Sequence, residues 1–192
     1  MPRLIYFITH ADVVVEPRIP VARWPLSERG RARTQAMLLQ PWVAKIGAIF
    51  SSTERKAFDA ASILAEHCRL PFTTVPELGE NDRTSTGYLE ANEFQETADR
   101  FFAHPAESVR GWERAIDAQA RIVKTVVGLA ESATGDTPIA VIAHGAVGAL
   151  LLCHVKGIPI RRDQEQPGNN GGNYFVFRHP PAALIQSWQP ID

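Results

Sequence analysis

Short apolar runs alternate with segments of helical periodicity along the 192-residue chain. An apolar run of four to eight residues that is bounded by polar or turn-forming residues is typical of a buried strand. The pattern predicts six strands, of which the last two form an antiparallel pair. These strands span residues 4–8, 48–51, 72–75, 139–143, 174–177 and 183–188.

Between these strands, apolar residues recur at helical spacing. Ser27 is predicted to cap the first helix, with Glu28 in its first turn and Pro41 near its end. Thr53 is predicted to cap the second helix. Three further helices are predicted at residues 93–102, 112–130 and 147–155. The proline-rich stretch 17–25 and the polar segments 76–87 and 168–172 are predicted to be loops.

The alternation of strands and helices predicts an α/β fold with a mostly parallel sheet and helices on both of its faces. We expect one domain over residues 1–192, since a chain of this length is typical of a single α/β domain. In open parallel sheets, ligands bind at the carboxyl ends of the strands. The residues that directly follow the strands are therefore the candidates for function.

Charge and composition exclude several classes of function. The net charge is −1, with 20 basic and 21 acidic residues, so we expect no nucleic-acid partner, because that function needs a basic face. The first apolar run is too short for a signal peptide or a membrane span, so we expect a cytoplasmic protein with no membrane partner. Cys68 and Cys153 form no C-x-x-C pair, and the histidines show no ligand spacing, so we expect neither a metal nor a cofactor.

Four predicted strands are followed by reactive or anion-binding side chains. Two histidines, basic residues at the start of a helix and a carboxylate would then meet at one edge of the sheet, which predicts a phosphoryl-transfer pocket. The four segments are Thr9-His10-Ala11, Ser-Ser-Thr-Glu-Arg-Lys at 51–56, Glu77-Leu78-Gly79-Glu80 and Ala143-His144-Gly145.

The order of these segments resembles the histidine phosphatase superfamily, also called phosphoglycerate mutase-like. That family has Arg-His-Gly after its first strand, then Ser-Ser-x-x-x-Arg-Ala, an acidic residue in a Leu-x-Glu context, and His-Gly after a later strand. The stretch 24–30 also resembles the helix opening of the family, and the resemblance covers nearly the whole chain. It implies a three-layer α/β/α sandwich and a metal-independent phosphomonoesterase that acts on a small phosphorylated substrate.

The resemblance also implies a role for each matching residue. His10 would be the nucleophile that becomes phosphorylated, and His144 would stabilise the charge on the phosphoryl oxygens. Lys56 falls on the position of the family's second arginine and would bind the phosphoryl group, with Arg55 beside it as the less favoured candidate.

A general acid is expected in the segment after the third strand. Glu80 matches the family position and would protonate the leaving alcohol, then act as a base toward water. Glu77 and Asp82 lie close to it in the sequence and remain alternatives for this role.

The sequence departs from the family pattern around the proposed nucleophile. Thr9 replaces the first arginine and Ala11 replaces the glycine, so a bidentate phosphate ligand is missing. Arg18 or Arg23, in the following loop, could replace that arginine. The departure supports an alternative function, a catalytically weak or inactive relative that binds a phosphorylated ligand or a partner. A phosphoglycerate mutase is less favoured, because the chain is shorter than those enzymes and lacks their opening motif.

Overall fold

The central layer is a six-stranded sheet in the computed structural model, which describes residues 2–192. Its strands are β1 (Arg3–Thr9), β2 (Ala48–Ser51), β3 (Phe72–Thr74), β4 (Ile139–Ala143), β5 (Asn173–His179) and β6 (Ala183–Pro190). They pair in the order β3-β2-β4-β1-β5-β6. The pairs β3-β2, β2-β4 and β4-β1 are parallel, whereas β5 and β6 are antiparallel to their neighbours. The mostly parallel α/β fold predicted from the sequence is confirmed.

Five α-helices cover the two faces of this sheet. They are α1 (Glu28–Met37), α2 (Arg55–Cys68), α3 (Ala91–Ala103), α4 (Ala115–Ser132) and α5 (Gly145–Lys156). Side chains alternate across a strand, so Tyr6 and Ile8 pack with α1 and α2, whereas Ile5 and Phe7 pack with α4 and α5. Helix α3 packs against α5 and the start of α4 on the outside. Helices on both faces produce the expected three layers.

The starts of two helices show where local sequence signals were sufficient and where they were not. Ser27 caps α1 as predicted, because its hydroxyl accepts a hydrogen bond from the Gly30 N–H at 3.0 Å. The predicted cap at Thr53 is wrong. Helix α2 begins at Arg55 with Glu54 in the cap position, and Ser52 Oγ accepts a hydrogen bond from the Glu54 N–H instead. The Glu54 carboxylate is thereby available for contacts elsewhere.

The pairing of β1 with β4 positions the two candidate histidines. Thr9 lies opposite Ala143 in the parallel register, and the His10 N–H continues the ladder by donating to the Ala143 carbonyl at 3.2 Å. His10 and His144 directly follow these two residues. Because parallel strands end at the same edge, both histidines lie at the carboxyl edge of the sheet.

The loop before β5 packs against the backbone of His10. The Gly172 N–H donates to the His10 carbonyl at 2.8 Å. Gly171 has a φ of +79°, and a Cβ added there would lie 2.3 Å from the same carbonyl oxygen. Only glycine allows this close approach, so the loop fixes the main chain of His10 from the side opposite β4.

No helix within residues 2–192 has both the length and the apolar character needed to cross a membrane.

The close approach at Gly171 predicts that replacement by alanine lowers the free energy of unfolding more at Gly171 than at Gly135. Gly135 also has a positive φ, of +70°, but an added Cβ would meet nothing within 4 Å. We expect Gly135→Ala to lower the free energy of unfolding by about 1 kcal/mol through backbone strain alone, and Gly171→Ala by about 3 kcal/mol because a steric clash is added. Urea denaturation measures both. Equal losses would contradict the packing of this loop on His10.

Candidate active site

His10 has one ring nitrogen fixed and the other available. Its Nδ1 lies 2.9 Å from the carbonyl oxygen of Ala11. A carbonyl oxygen can only accept a hydrogen bond, so this contact places the proton of the neutral ring on Nδ1 and leaves a lone pair on Nε2. The ring also lies edge-on to His144, with 5.3 Å between the ring centroids. The geometry therefore presents a nucleophilic nitrogen beside a second imidazole.

The surroundings of His10 keep its ring neutral. Burial lowers the pKa of His10 from 6.5 to about 4, and the nearby positive charge of Lys56 contributes in the same direction. A neutral imidazole is the form that can attack phosphorus. His10 is therefore in its nucleophilic form throughout the neutral pH range.

His144 is fully buried, and its ring nitrogens are not satisfied by the protein. Neither Nδ1 nor Nε2 has a hydrogen-bond partner among the described residues, 2–192. Burial also holds the pKa of His144 well below 6.5, so the ring is neutral. A buried polar group without a partner costs about 1–3 kcal/mol. Such a group beside a nucleophile is typical of a site that binds a polar ligand.

Glu80 lies at the amino-terminal end of α5, the helix that directly follows His144, and lines the same cavity as His10. Its carboxylate accepts hydrogen bonds from the Ala146 N–H at 3.2 Å and the Val147 N–H at 3.0 Å. Burial raises the pKa of Glu80, and the nearby Glu54 adds to this effect. A carboxyl with a raised pKa can carry the proton that a general acid must donate.

The other two candidates for the acid lie farther from His10. Glu77 is exposed and lines no cavity that contains His10. Asp82 accepts hydrogen bonds from the N–H and hydroxyl of Thr84, and these bonds lower the pKa of Asp82. Glu77 does not reach the cavity of His10, and the lowered pKa of Asp82 disfavours the protonated form that a proton donor needs. The geometry therefore favours Glu80 as the general acid.

Lys56 is buried at the site, but its charge is already paired. Only 4% of its side chain is exposed, and its ammonium donates to the Val21 carbonyl at 3.0 Å and to the Glu54 carboxylate. Glu54 in turn approaches His144 Nε2 at 3.4 Å. Because the His144 ring is neutral, this last contact is not an ion pair. The site thus contains a fixed carboxylate that no sequence pattern indicated.

Thr9 contributes a hydroxyl that is used within the protein. Its Oγ1 donates to Gln166 Oε1 at 2.6 Å and accepts from the Asn173 N–H at 3.0 Å. The side chain is buried, with 1% exposed. Thr9 therefore joins β1 to the segment around β5 and has no free hydrogen-bonding capacity equivalent to that of an arginine.

Three arginines expected to bind phosphate lie in a separate groove. Arg18 is 90% exposed and pairs with Glu16, and Arg55 pairs with Asp59 at 2.7 Å. Arg18, Arg23 and Arg55 line one open surface groove that does not include His10. The structure therefore corrects the expectation that they lie beside His10. Only Lys56, of the cations expected from sequence, is close enough to lower the pKa of His10.

Besides Glu54, sequence analysis missed two further side chains that line the site. Arg83 lines the cavities on both sides of Glu80, stacks on the Phe94 ring at 5.1 Å, and pairs with no carboxylate within residues 2–192. Its positive charge reaches His10, where it lowers the pKa. Asn81 is buried, and its Nδ2 lacks a partner within the described chain. The one available signal was that Arg83 is the only basic residue in the polar loop 76–87.

His10 opens onto a cavity of about 240 Å³. Its polar lining includes His10, Glu80 and Arg83, and much of its apolar lining is aromatic. The aromatic residues are Phe94, Phe101, Phe102 and Trp112. A second cavity of about 500 Å³ lies on the other side of Glu80, where Glu54, Asn81 and Arg83 line it. In the part of the chain that the structure describes, no group of three or more His, Cys, Asp or Glu residues could hold a metal ion.

Comparisons with known proteins agree on one family. The sequence profile of the histidine phosphatase superfamily, branch 1, matches residues 20–188. The match begins after His10, so the role of His10 depends on the geometry described above. A comparison with curated proteins gave no match.

Several solved structures share this fold. The chain is similar to Bacillus stearothermophilus YhfR, with a TM-score of 0.80, 20% identity and coverage of 96% of this chain and 95% of that one. It is similar to a mycobacterial glucosyl-3-phosphoglycerate phosphatase, with a TM-score of 0.77, 20% identity and coverage of 98% and 97%. It is also similar to a phosphoglycerate mutase from Bacillus anthracis, with a TM-score of 0.77, 13% identity and coverage of 99% and 94%.

The contacts of Lys56 and Arg55 predict different effects on His10. Lys56→Gln removes a positive charge near the ring, so the pKa of His10 should rise from about 4 but stay below 6.5, because burial remains. Arg55→Gln should leave that pKa unchanged, since Arg55 pairs with Asp59 outside the cavity. Histidine side-chain NMR over a pH titration measures both variants. A larger shift in Arg55→Gln would refute this placement of the two cations.

Proposed function

Because the chain belongs to the histidine phosphatase superfamily, we propose that it is a phosphomonoesterase that works through a phosphohistidine on His10. The observation that carries the proposal is the pair of neutral imidazoles at one sheet edge. His10 has Nε2 free, and His144 is buried with neither nitrogen paired within residues 2–192. This arrangement suits an anionic group that bridges the two rings.

In the first step, Nε2 of His10 attacks the phosphorus of a phosphomonoester. The N–P bond forms while the bond between phosphorus and the ester oxygen breaks. Glu80 donates its proton to the leaving oxygen, so the product departs as an alcohol. The raised pKa of Glu80 supports its presence in the protonated form before this step.

In the second step, water attacks the phosphohistidine. Glu80, now ionised, accepts a proton from that water, the N–P bond breaks and phosphate leaves with His10 neutral again. The hydrogen bonds from the N–H groups of Ala146 and Val147 stabilise the carboxylate during this interval. Glu80 can therefore act from one position as the acid of the first step, when it is protonated, and as the base of the second step, when it is ionised.

Charge on the transferred phosphoryl group is proposed to be stabilised mainly by Arg83 and His144. Arg83 is the cation of the site that has no carboxylate partner within the described residues, whereas Lys56 is paired with Glu54. Asn81 adds a buried amide donor. Arg83 would thus replace, from the loop after β3, the guanidinium that Thr9 lacks on β1.

The proposed substrate is a small phosphomonoester. Pockets that enclose a drug-sized ligand measure about 300–1,000 Å³, whereas the cavity beside His10 measures about 240 Å³. We further propose that the protein works in the cytoplasm, because Cys68 and Cys153 are both free thiols, as is usual under reducing conditions.

A second candidate function is a weak or inactive relative that binds a phosphorylated ligand or a partner. The contacts of Thr9 favour it, because its hydroxyl is taken up by Gln166 and Asn173 rather than facing a ligand. The two candidates differ in turnover of nitrophenyl phosphate. A purified chain that binds phosphate without measurable turnover would favour the binding function.

The first prediction from this mechanism concerns His10. We expect His10→Ala to lower turnover of nitrophenyl phosphate by about 10⁴-fold or more, because the nucleophile is removed. Rapid quenching of the wild-type protein with ³²P-labelled substrate should give an acid-labile, base-stable label on His10. His104→Ala is the matched control, since His104 is 54% exposed on the surface. An unlabelled His10, or full turnover by His10→Ala, would exclude the mechanism.

The second prediction distinguishes two arginines. We expect Arg83→Ala to lower kcat by about 100-fold, as is typical when a donor to transition-state charge is lost. Arg23→Ala should change kcat by less than about twofold, because an exposed arginine in the outer groove is remote from the transferred charge. Steady-state kinetics on nitrophenyl phosphate measures both. If Arg23→Ala shows the larger loss, the replacement guanidinium comes from the loop after β1 instead.

A further inference from the structure

Glu54, in the cap position of α2, borders the proposed phosphoryl site through its contacts with His144 and the Glu80 backbone, and it lines the larger cavity next to that of His10. Its Oε1 accepts a hydrogen bond from the Glu80 N–H at 2.9 Å and lies 3.4 Å from His144 Nε2. Its Oε2 accepts from the Lys56 ammonium. The side chain is 15% exposed. One carboxylate therefore contacts two of the groups that would otherwise face a bound anion.

This carboxylate is ionised. Burial opposes ionisation, but the Lys56 charge and the hydrogen bonds from Lys56 and the Glu80 N–H outweigh it and hold the pKa of Glu54 below its usual value. An ionised carboxylate has acceptor oxygens only and no proton to donate. It can therefore receive a hydrogen bond from a ligand, but it repels any ligand oxygen that carries charge.

The positive charge available to oppose that repulsion is small. Lys56 is paired with Glu54 itself, Thr9 brings no charge, and both histidines are neutral. Of the cations that line the site, Arg83 is the one without a carboxylate partner within residues 2–192. A phosphoryl dianion would thus meet one free guanidinium, and any of its oxygens placed beside Glu54 would meet an acceptor of like charge instead of a donor. A monoanion would meet the same guanidinium and could donate its P–OH hydrogen to Glu54.

We infer that Glu54 makes this site selective for the protonated, monoanionic form of a phosphoryl group. The P–OH of the bound group donates to the Glu54 carboxylate, in a charge-assisted hydrogen bond, while its anionic oxygens face His144 and Arg83. The inference rests on the proposed function, since it concerns the phosphoryl group that His10 would receive. Glu54 is in this account a specificity-determining residue and carries no proton in the reaction.

Other charged groups near Glu54 must be separated from it in any pH experiment. They are Lys56 on α2, His10 after β1, His144 at the start of α5, Glu80 and Arg83 after β3, and Arg121 on α4. The pKa values of both histidines are lowered, so their rings stay neutral through the neutral range. Glu80, whose pKa is raised, is the group whose ionisation could imitate an effect of Glu54.

Binding of inorganic phosphate, measured by calorimetry near pH 5 and near pH 8.5, tests the inference without turnover. These conditions lie on either side of the second ionisation of phosphate. We expect the wild-type chain to bind phosphate about tenfold or more weakly at the higher pH. Glu54→Gln keeps an acceptor oxygen but loses the negative charge, so it should bind phosphate more tightly than the wild-type chain at the higher pH. Its phosphate affinities at the two pH values should then agree within about threefold.

Two control variants make the result decisive. Glu80→Gln should retain the pH dependence of the wild-type chain, and Glu54→Leu should lose it as Glu54→Gln does. A dependence that disappears in Glu80→Gln but persists in Glu54→Gln would overturn the inference, as would equal affinities in the wild-type chain. Phosphate binding with the expected dependence, but without any label on His10, would overturn the proposed function alone. Turnover with pH-independent phosphate binding would overturn this inference alone.

Discussion

The parallel pairing of β1 with β4 is the constraint on which the site depends. Those two strands place Thr9 opposite Ala143, so the residues that follow them, His10 and His144, must lie side by side at one edge of the sheet. A parallel register slip of one residue would turn β1 over and direct its side chains to the opposite layers. The cores on both faces of the sheet therefore fix the geometry of the histidine pair. Strand β2 ends at the same edge and adds Glu54 and Lys56.

The two carboxylates of the site are adapted to opposite tasks by their surroundings. Glu80 accepts hydrogen bonds from backbone N–H groups and has a raised pKa, whereas Glu54 pairs with a lysine and has a lowered pKa. When the surroundings shift the pKa values of two neighbouring carboxylates in opposite directions, the one with the raised pKa can carry a proton and the other stays ionised. Here Glu80 is the proton carrier and Glu54 is the permanent charge. Because Glu54 also neutralises Lys56, the site depends on Arg83 for the positive charge that Thr9 does not provide.

The sequence was sufficient for the fold because the strands are short apolar runs with clear ends. Strands β2 and β4 have the bounds predicted from their hydrophobicity, and the cap at Ser27 follows from a local hydrogen bond. The expectation that His10, Glu80 and His144 approach one another also followed from strand order. The geometry agrees with that expectation, while the catalytic roles of the three residues remain proposals.

The sequence pattern did not predict the directions in which the charged side chains point. Arg55 and Lys56 are neighbours on α2, and only the packing of that helix directs Lys56 into the site and Arg55 toward Asp59. The contribution of Arg83 depends on how a loop without regular structure folds back over His10. Glu54 was missed because it lies at a position for which the family pattern specifies no residue type.

The most direct test of the central claim is a crystal structure of the chain soaked with orthovanadate, which imitates a phosphoryl group in transfer. We expect vanadium bonded to His10 Nε2, with its oxygens about 3 Å from His144 Nε2 and the Arg83 guanidinium. Vanadate bound only in the groove of Arg18, Arg23 and Arg55, with the two histidines unoccupied, would contradict it.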